Sequence, residues 1–168
     1  MSLSNPQNKS LDQLTTSQTY QFCSMFKKSN AVSAKNLILP PLTLAEGCYR
    51  ALFSLAPILV EPPKILPATT LATYCYWYMF EACPITVAPE LPALTVSQYG
   101  YGNMFTQCSS LNYIKCMATN ISATQATTNW VNKIASKGTF VKNSSMNSWT
   151  TGINGIPSGW TVLNSNNA

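Results

Sequence analysis

Two ladders of residue types run along this chain and keep step with one another. Met25-Phe26, Leu52-Phe53, Met79-Phe80 and Met104-Phe105 follow at intervals of 27, 27 and 25 residues. Leu39-Pro40, Leu66-Pro67 and Leu91-Pro92 form a second series, and each of these leucines stands 13 residues before the next Met or Leu of the first. A period between about 20 and 50 residues marks a repeat array, in which each unit buries its apolar face on its neighbours. Positions that recur in type should then stack in space.

Further positions follow the same beat. An aromatic stands three residues before each Met or Leu (Phe22, Tyr49, Tyr76, Tyr101), and a small residue four after it (Ser29, Ala56, Cys83, Cys108). Five residues after the leucine of each Leu-Pro pair comes Leu44, Leu71 or Val96. The two positions just before the Met or Leu do not recur: they hold Cys23-Ser24, Arg50-Ala51, Trp77-Tyr78 and Gly102-Asn103. Stacking does not constrain them, so they are expected to face outward.

This divides the chain into a polar leader (1–19, with Leu11 and Leu14 as its apolar residues), four repeats (20–47, 48–74, 75–99, 100–123) and a C-terminal cap (124–168). Within each repeat the segment around Met-Phe, such as YCYWYMFEAC, sets apolar residues at offsets of three and four and predicts one or two turns of helix. Ile58-Leu59-Val60, Ile85-Thr86-Val87 and Leu111-Asn112-Tyr113-Ile114 predict short strands, paired in parallel between repeats. Proline-rich pieces such as Glu61-Pro62-Pro63 are extended connections. The expected fold class is therefore an α/β repeat. In the cap, Trp130, Val131 and Ile134 share one face of a predicted helix ending near Gly138. Thr139-Phe140-Val141 and Trp160 to Leu163 read as edge strands, with a turn at Asn154-Gly155 between them. Trp130, Trp149 and Trp160 would plug the open end of the array.

Composition excludes several functions. Charged residues make up only 9% of the chain and hydrophobic ones 46%, so the chain folds and covers itself with uncharged polar groups. The net charge of +5 is scattered, with no basic run beyond Lys27-Lys28, which argues against a nucleic-acid partner. No run of 18 apolar residues exists, so no membrane insertion is expected. The opening MSLSNPQNKSLDQL has no apolar core and is not read as a signal peptide. With no histidine and no Cys-x-x-Cys, neither a metal site nor a nucleophilic dyad is expected, and no cofactor. Cys48 and Cys75 recur at one repeat position and Cys83 and Cys108 at another, and the six cysteines are expected to be mostly reduced and buried. Of the five carboxylates, Glu61 and Glu90 occupy equivalent connections and read as two solvated acids, not as a catalytic pair. An enzyme is not expected.

CYWYMFEACPITVAPELPALT, followed by MFTQCSSLNYIKC, resembles the BspA-type leucine-rich repeat of bacterial surface proteins. Cys75, Tyr76, Met79, Phe80, Cys83, Ala88, Pro89, Leu91, Pro92 and Ala93 carry the resemblance. Tyr101, Met104, Phe105, Cys108 and Leu111 match in the next copy, and Cys48, Tyr49 and Phe53 in the one before. The tail GTFVKN…GIPSGWTV looks like the closing segment of such arrays in Bacteroides proteins and their phages. Pro84 and the shortened third repeat depart from the pattern. The resemblance implies a short leucine-rich-repeat-like solenoid with parallel short strands and a C-terminal cap. It also implies adhesion or protein binding, and no enzyme.

The expected function is therefore non-enzymatic recognition of a protein or glycan at a bacterial cell surface or a phage virion. The alternative is a virion structural protein (a capsid decoration, fibre or attachment subunit) that assembles with itself or with capsid proteins. The candidate contact residues are the outward aromatics Trp77 and Tyr78, with Tyr74 and Tyr99 beside them and Arg50 at the matching position one repeat earlier. Exposed aromatics stack on flat partners and anchor interfaces.

Overall fold

The structure is a computed structural model that describes residues 18–39 and 43–167. All but the last two residues of the expected leader lie outside the described residues, as does Pro40.

The segments around Met-Phe are not helical. Fourteen non-glycine residues have φ between 50° and 63°, and they fall at every fourth position: 20, 24 and 28; 51 and 55; 74, 78 and 82; 99, 103 and 107; 125, 129 and 133. Gly47 completes the second set with φ 59°. The intervening amides alternate between two acceptors. Leu52, Ser54 and Ala56 donate three residues back, to Tyr49, Ala51 and Phe53. Ala51, Phe53 and Leu55 donate to Trp77, Met79 and Glu81 of the next repeat at 2.7, 2.9 and 2.7 Å. Each segment is thus a run of overlapping tight turns, tied at every second residue to the run beside it. A left-handed residue with a side chain costs about 1–2 kcal/mol. The cross-repeat hydrogen bonds and the rings packed beneath them hold these residues in place.

This corrects the expected α/β class. Among the described residues there is no α-helix, and regular strands amount to three short parallel ones in one sheet. Offsets of three and four suit a helix, but they suit a chain with a four-residue turn period equally well. The α/β leucine-rich-repeat-like solenoid is therefore overturned, and so is the helix expected over ATQATTNWVNKIAS, residues 123–136. There Gln125, Asn129 and Lys133 continue the turn pattern. Tyr101, Asn103, Phe105 and Gln107 donate into that run at Ala126, Thr128, Trp130 and Asn132.

The other limb of each repeat is extended. Isolated parallel bridges join Ser33 to Glu61, Ile65 to Glu90, Val87 to Tyr113, Leu91 to Cys116 and Thr95 to Asn120. No full strand forms at Ile58–Val60 or Ile85–Val87. Regular strands appear only where prolines are sparse. The chain has none between Pro92 and Pro157, and the strands are β1 (Tyr113–Cys116), β2 (Thr139–Lys142) and β3 (Thr161–Asn164). Proline has no amide to give to a ladder, so the proline-rich limbs pair at single points only. The sheet order is β1-β2-β3, all parallel, with Phe140 against Ile114 on one side and Val162 on the other. β2 is thus central, not the edge strand expected, and Phe140 is fully buried.

Rings fill the interior. Phe26, Phe53, Phe80 and Phe105 stack with centroids 5.5, 5.5 and 5.8 Å apart. Phe22, Tyr49, Tyr76 and Tyr101 form a parallel series that ends on Trp130, 6.1 Å from Tyr101. The first rungs are less covered. Phe26 is half-buried and Met25 exposed, whereas Met79, Phe80, Met104 and Phe105 are fully buried. At the far end Trp130 stacks on Trp149 at 5.5 Å and donates from Nε1 to the Gly155 carbonyl at 2.8 Å. Trp160 Nε1 donates to the Ala135 carbonyl at 2.8 Å.

The thiols belong to this interior. Cys83 and Cys108 donate to the Phe53 and Phe80 carbonyls of the preceding repeat at 3.1 and 2.9 Å. All six cysteines are free, and only Cys23 is less than fully covered. Burial pushes the thiols of Cys48, Cys83 and Cys116 up to about 12, and raises Cys75 and Cys108 as well. A buried neutral thiol is not a nucleophile. At pH 8 a thiol reagent should therefore label one cysteine of the folded, unreduced protein, and all six after unfolding; intact bridges in the mass spectrum would contradict this. These thiols stay protonated in the fold and ionise in the unfolded chain. Stability should then be complete below about pH 8.5 and fall as pH climbs toward 12.

Candidate functional site

The turn runs place a row of outward side chains on one face of the molecule. Tyr20, Gly47, Tyr74 and Tyr99 are successive occupants of one position, each with positive φ. Cys23, Arg50, Trp77 and Gly102 occupy another, three residues further on. These two columns hold four of the five sequence-predicted contact residues, and the fifth, Tyr78, joins them through the Trp77 ring.

Tyr74 and Tyr99 stack at 4.7 Å with planes 16° apart. Trp77 packs on Tyr74 at 4.9 Å, on Tyr78 at 5.0 Å and on Tyr99 at 5.8 Å, always tilted by more than 40°. The Arg50 guanidinium sits 4.5 Å from the Trp77 ring centre. Each of the five is half-buried. Sequence had placed Trp77 and Tyr78 outward; neighbouring rungs cover part of them. Two glycines make room. Gly47 lies under the Tyr20 ring, which any side chain there would strike, and a Cβ on Gly102 would stand 3.2 Å from Trp77 Cδ1. Large rings at Tyr20 and Trp77 are thus each matched to a missing side chain one repeat on.

The structure adds one residue that sequence reasoning missed. Tyr20 lies 5.9 Å from the Arg50 guanidinium on the side of the first repeat, and its hydroxyl donates to Glu46 Oε1 at 3.2 Å. Its interval of 27 residues to Gly47, and 27 more to Tyr74, was the available signal. Trp77 Nε1 is buried and has no hydrogen-bond partner among the described residues.

The carboxylates do not form a pair. Glu61 bonds Lys35 at 3.0 Å and Glu90 bonds Lys115 at 3.3 Å, with all four side chains substantially exposed. Ser33 and Lys35 hold the Glu61 carboxyl below its usual range. Such exposed pairs are screened by solvent and add little to stability. Glu81 accepts from Ser54 Oγ at 2.8 Å. Among the described residues no three Cys, Asp or Glu side chains converge as metal ligands, and no helix is long and apolar enough to cross a membrane.

The two ends of the array differ. Carbonyls of Glu46, Cys48, Arg50, Leu52 and Ser54 accept amides from the first repeat. Their counterparts one repeat earlier, on Thr19, Gln21, Cys23, Met25 and Lys27, accept none among the described residues. At the other end, Asn129 N donates to Asn154 Oδ1 at 2.7 Å and Val131 N to the Ile153 carbonyl at 3.3 Å, so residues 150–156 close the last turn run.

No family model, curated protein or solved structure matches the chain.

Proposed function

We propose that this protein is a non-enzymatic recognition module. It docks a surface glycan or protein, bacterial or virion, on the face built by Tyr74, Trp77, Tyr78, Tyr99 and Arg50. The observation that carries this reading is the continuous set of ring contacts, ending in an arginine, on half-exposed side chains along one face of the turn runs. Exposed aromatics and arginines supply most hot-spot energy, about 2 kcal/mol or more each. The other reactive groups are committed to packing: five thiols are buried, and four of the five carboxylates are hydrogen-bonded to neighbours. The resemblance to BspA-type repeats, which serve adhesion, supports the same reading.

Trp77→Ala combined with Tyr78→Ala is the test. Retention of labelled protein on intact bacterial cells and on an oligosaccharide array should fall about 1,000-fold, from two lost anchors. Thermal unfolding should move by only a few degrees, since both rings are half-exposed. A collapse of stability would assign the pair to the core. If neither retention nor stability moves, the second reading takes over: a structural subunit that assembles through its open first repeat. That reading is favoured by the five carbonyls of Thr19, Gln21, Cys23, Met25 and Lys27, which accept no backbone amide among the described residues.

A further inference from the structure

We propose that the turn-face cluster selects acidic saccharides, sugars that carry a carboxylate such as uronic or sialic acids; this rests on reading that face as a recognition surface. Arg50 lies between the Trp77 ring at 4.5 Å and the Tyr20 ring at 5.9 Å. The guanidinium also reaches the Tyr20 hydroxyl, and its remaining in-plane N–H groups are donors that neither ring takes up. Those donors form a rigid fork that matches a carboxylate. Among the described residues no carboxylate fills it: the ion pairs there are Lys35–Glu61 and Lys115–Glu90, and Glu46 is engaged by the Tyr20 hydroxyl. The arginine is thus held between two rings, and no acid among the described residues pairs with its charge.

The groups around the fork suit a sugar. The stacked Tyr74 and Tyr99 offer half-exposed ring surface to the C–H face of a pyranose, and each ring carries a hydroxyl for the sugar's own. Charge agrees: the chain carries +5, and the exposed Lys27 and Lys28 extend from the turn run of the first repeat. A polyphosphate backbone would need a row of cations along its length, and the cluster offers one arginine.

Calorimetric titration of the full chain with 3′-sialyllactose and trigalacturonate, against lactose and maltotriose, tests this. At low salt each acidic sugar should bind about 10-fold or more tightly than its neutral counterpart, the scale of one charge-assisted pair. The preference should shrink at high salt. Arg50→Ala should abolish it, and Arg50→Lys, which lacks the fork, should recover only part. Circular dichroism on both variants confirms that the fold survives. Equal affinity for neutral and acidic sugars would overturn the charge selection while leaving the recognition face standing. Binding only to a Glu-rich peptide, lost in Arg50→Ala, would overturn the sugar and keep the face. Acidic-sugar binding that depends on Lys27 and Lys28 but not on Arg50 would overturn the site. Loss of all binding together with unchanged cell retention in the Trp77/Tyr78 variant would overturn both proposals.

Discussion

Phe80→Ala is expected to lower the unfolding free energy by about 3–5 kcal/mol, the range for deleting a large core aromatic. Phe80 is fully buried, with Phe53 at 5.5 Å on one side and Phe105 at 5.8 Å on the other. The cost depends on how far the gap can close, and little closure is available. Phe53 N is bonded to the Met79 carbonyl at 2.9 Å and Phe80 N to the Met104 carbonyl at 3.0 Å, so the backbone runs cannot approach each other. Phe26→Ala, at the half-covered first rung, should cost clearly less. Urea or guanidinium unfolding reads both. A loss below about 1 kcal/mol for Phe80→Ala, a surface-like value, would mean the ring column does not hold the repeats together.

Deleting residues 150–168 should leave a chain that associates and unfolds at much lower temperature. The deletion takes the partners of at least four donors at once: Trp130 Nε1 loses the Gly155 carbonyl, Thr127 Oγ1 the Asn154 carbonyl, Asn129 N the Asn154 Oδ1, and Val131 N the Ile153 carbonyl. A buried donor left without a partner costs about 1–3 kcal/mol. The deletion also removes β3 from β2 and the Trp160 ring from the interior, and so opens a sheet edge beside the buried Phe140. An open edge over an apolar end invites pairing between chains. Size-exclusion chromatography with light scattering is the measurement. A monomeric 1–149 chain with an unchanged melting temperature would show that residues 150–168 do not close the array.

The contrast between the two ends explains why the first repeat looks degenerate in sequence. Its turn run donates to the second repeat like any other, yet its own outward carbonyls meet no described partner and Met25 is exposed. KKSNAVSAKN can therefore be polar where the inner copies are apolar. The last turn run, 125–133, has lost Met-Phe but keeps the backbone pattern, with Trp130 filling the space beyond both Tyr101 and Phe105.

The sequence by itself determined which residues lie over which. Recurrence of type at a fixed interval reports recurrence of environment, so the columns of Phe53 and Phe80 and of Tyr49 and Tyr76 could be written down from spacing alone. It also singled out Arg50, Trp77 and Tyr78 as candidates, because they break the recurrence, and the structure packs them on one another. Only the tertiary structure decided the backbone that carries them. Tyr74, Tyr78 and Ala82 adopt a left-handed conformation that their side chains disfavour and that no local propensity announces. They adopt it because the amides of Tyr74, Tyr78 and Ala82 find carbonyls at Gln98, Gly102 and Thr106 of the next repeat. A helix would satisfy those amides within its own run and leave the repeats joined by side chains alone. The turn runs bond across the stack instead, so the choice between the two belongs to the neighbouring repeat and not to the segment.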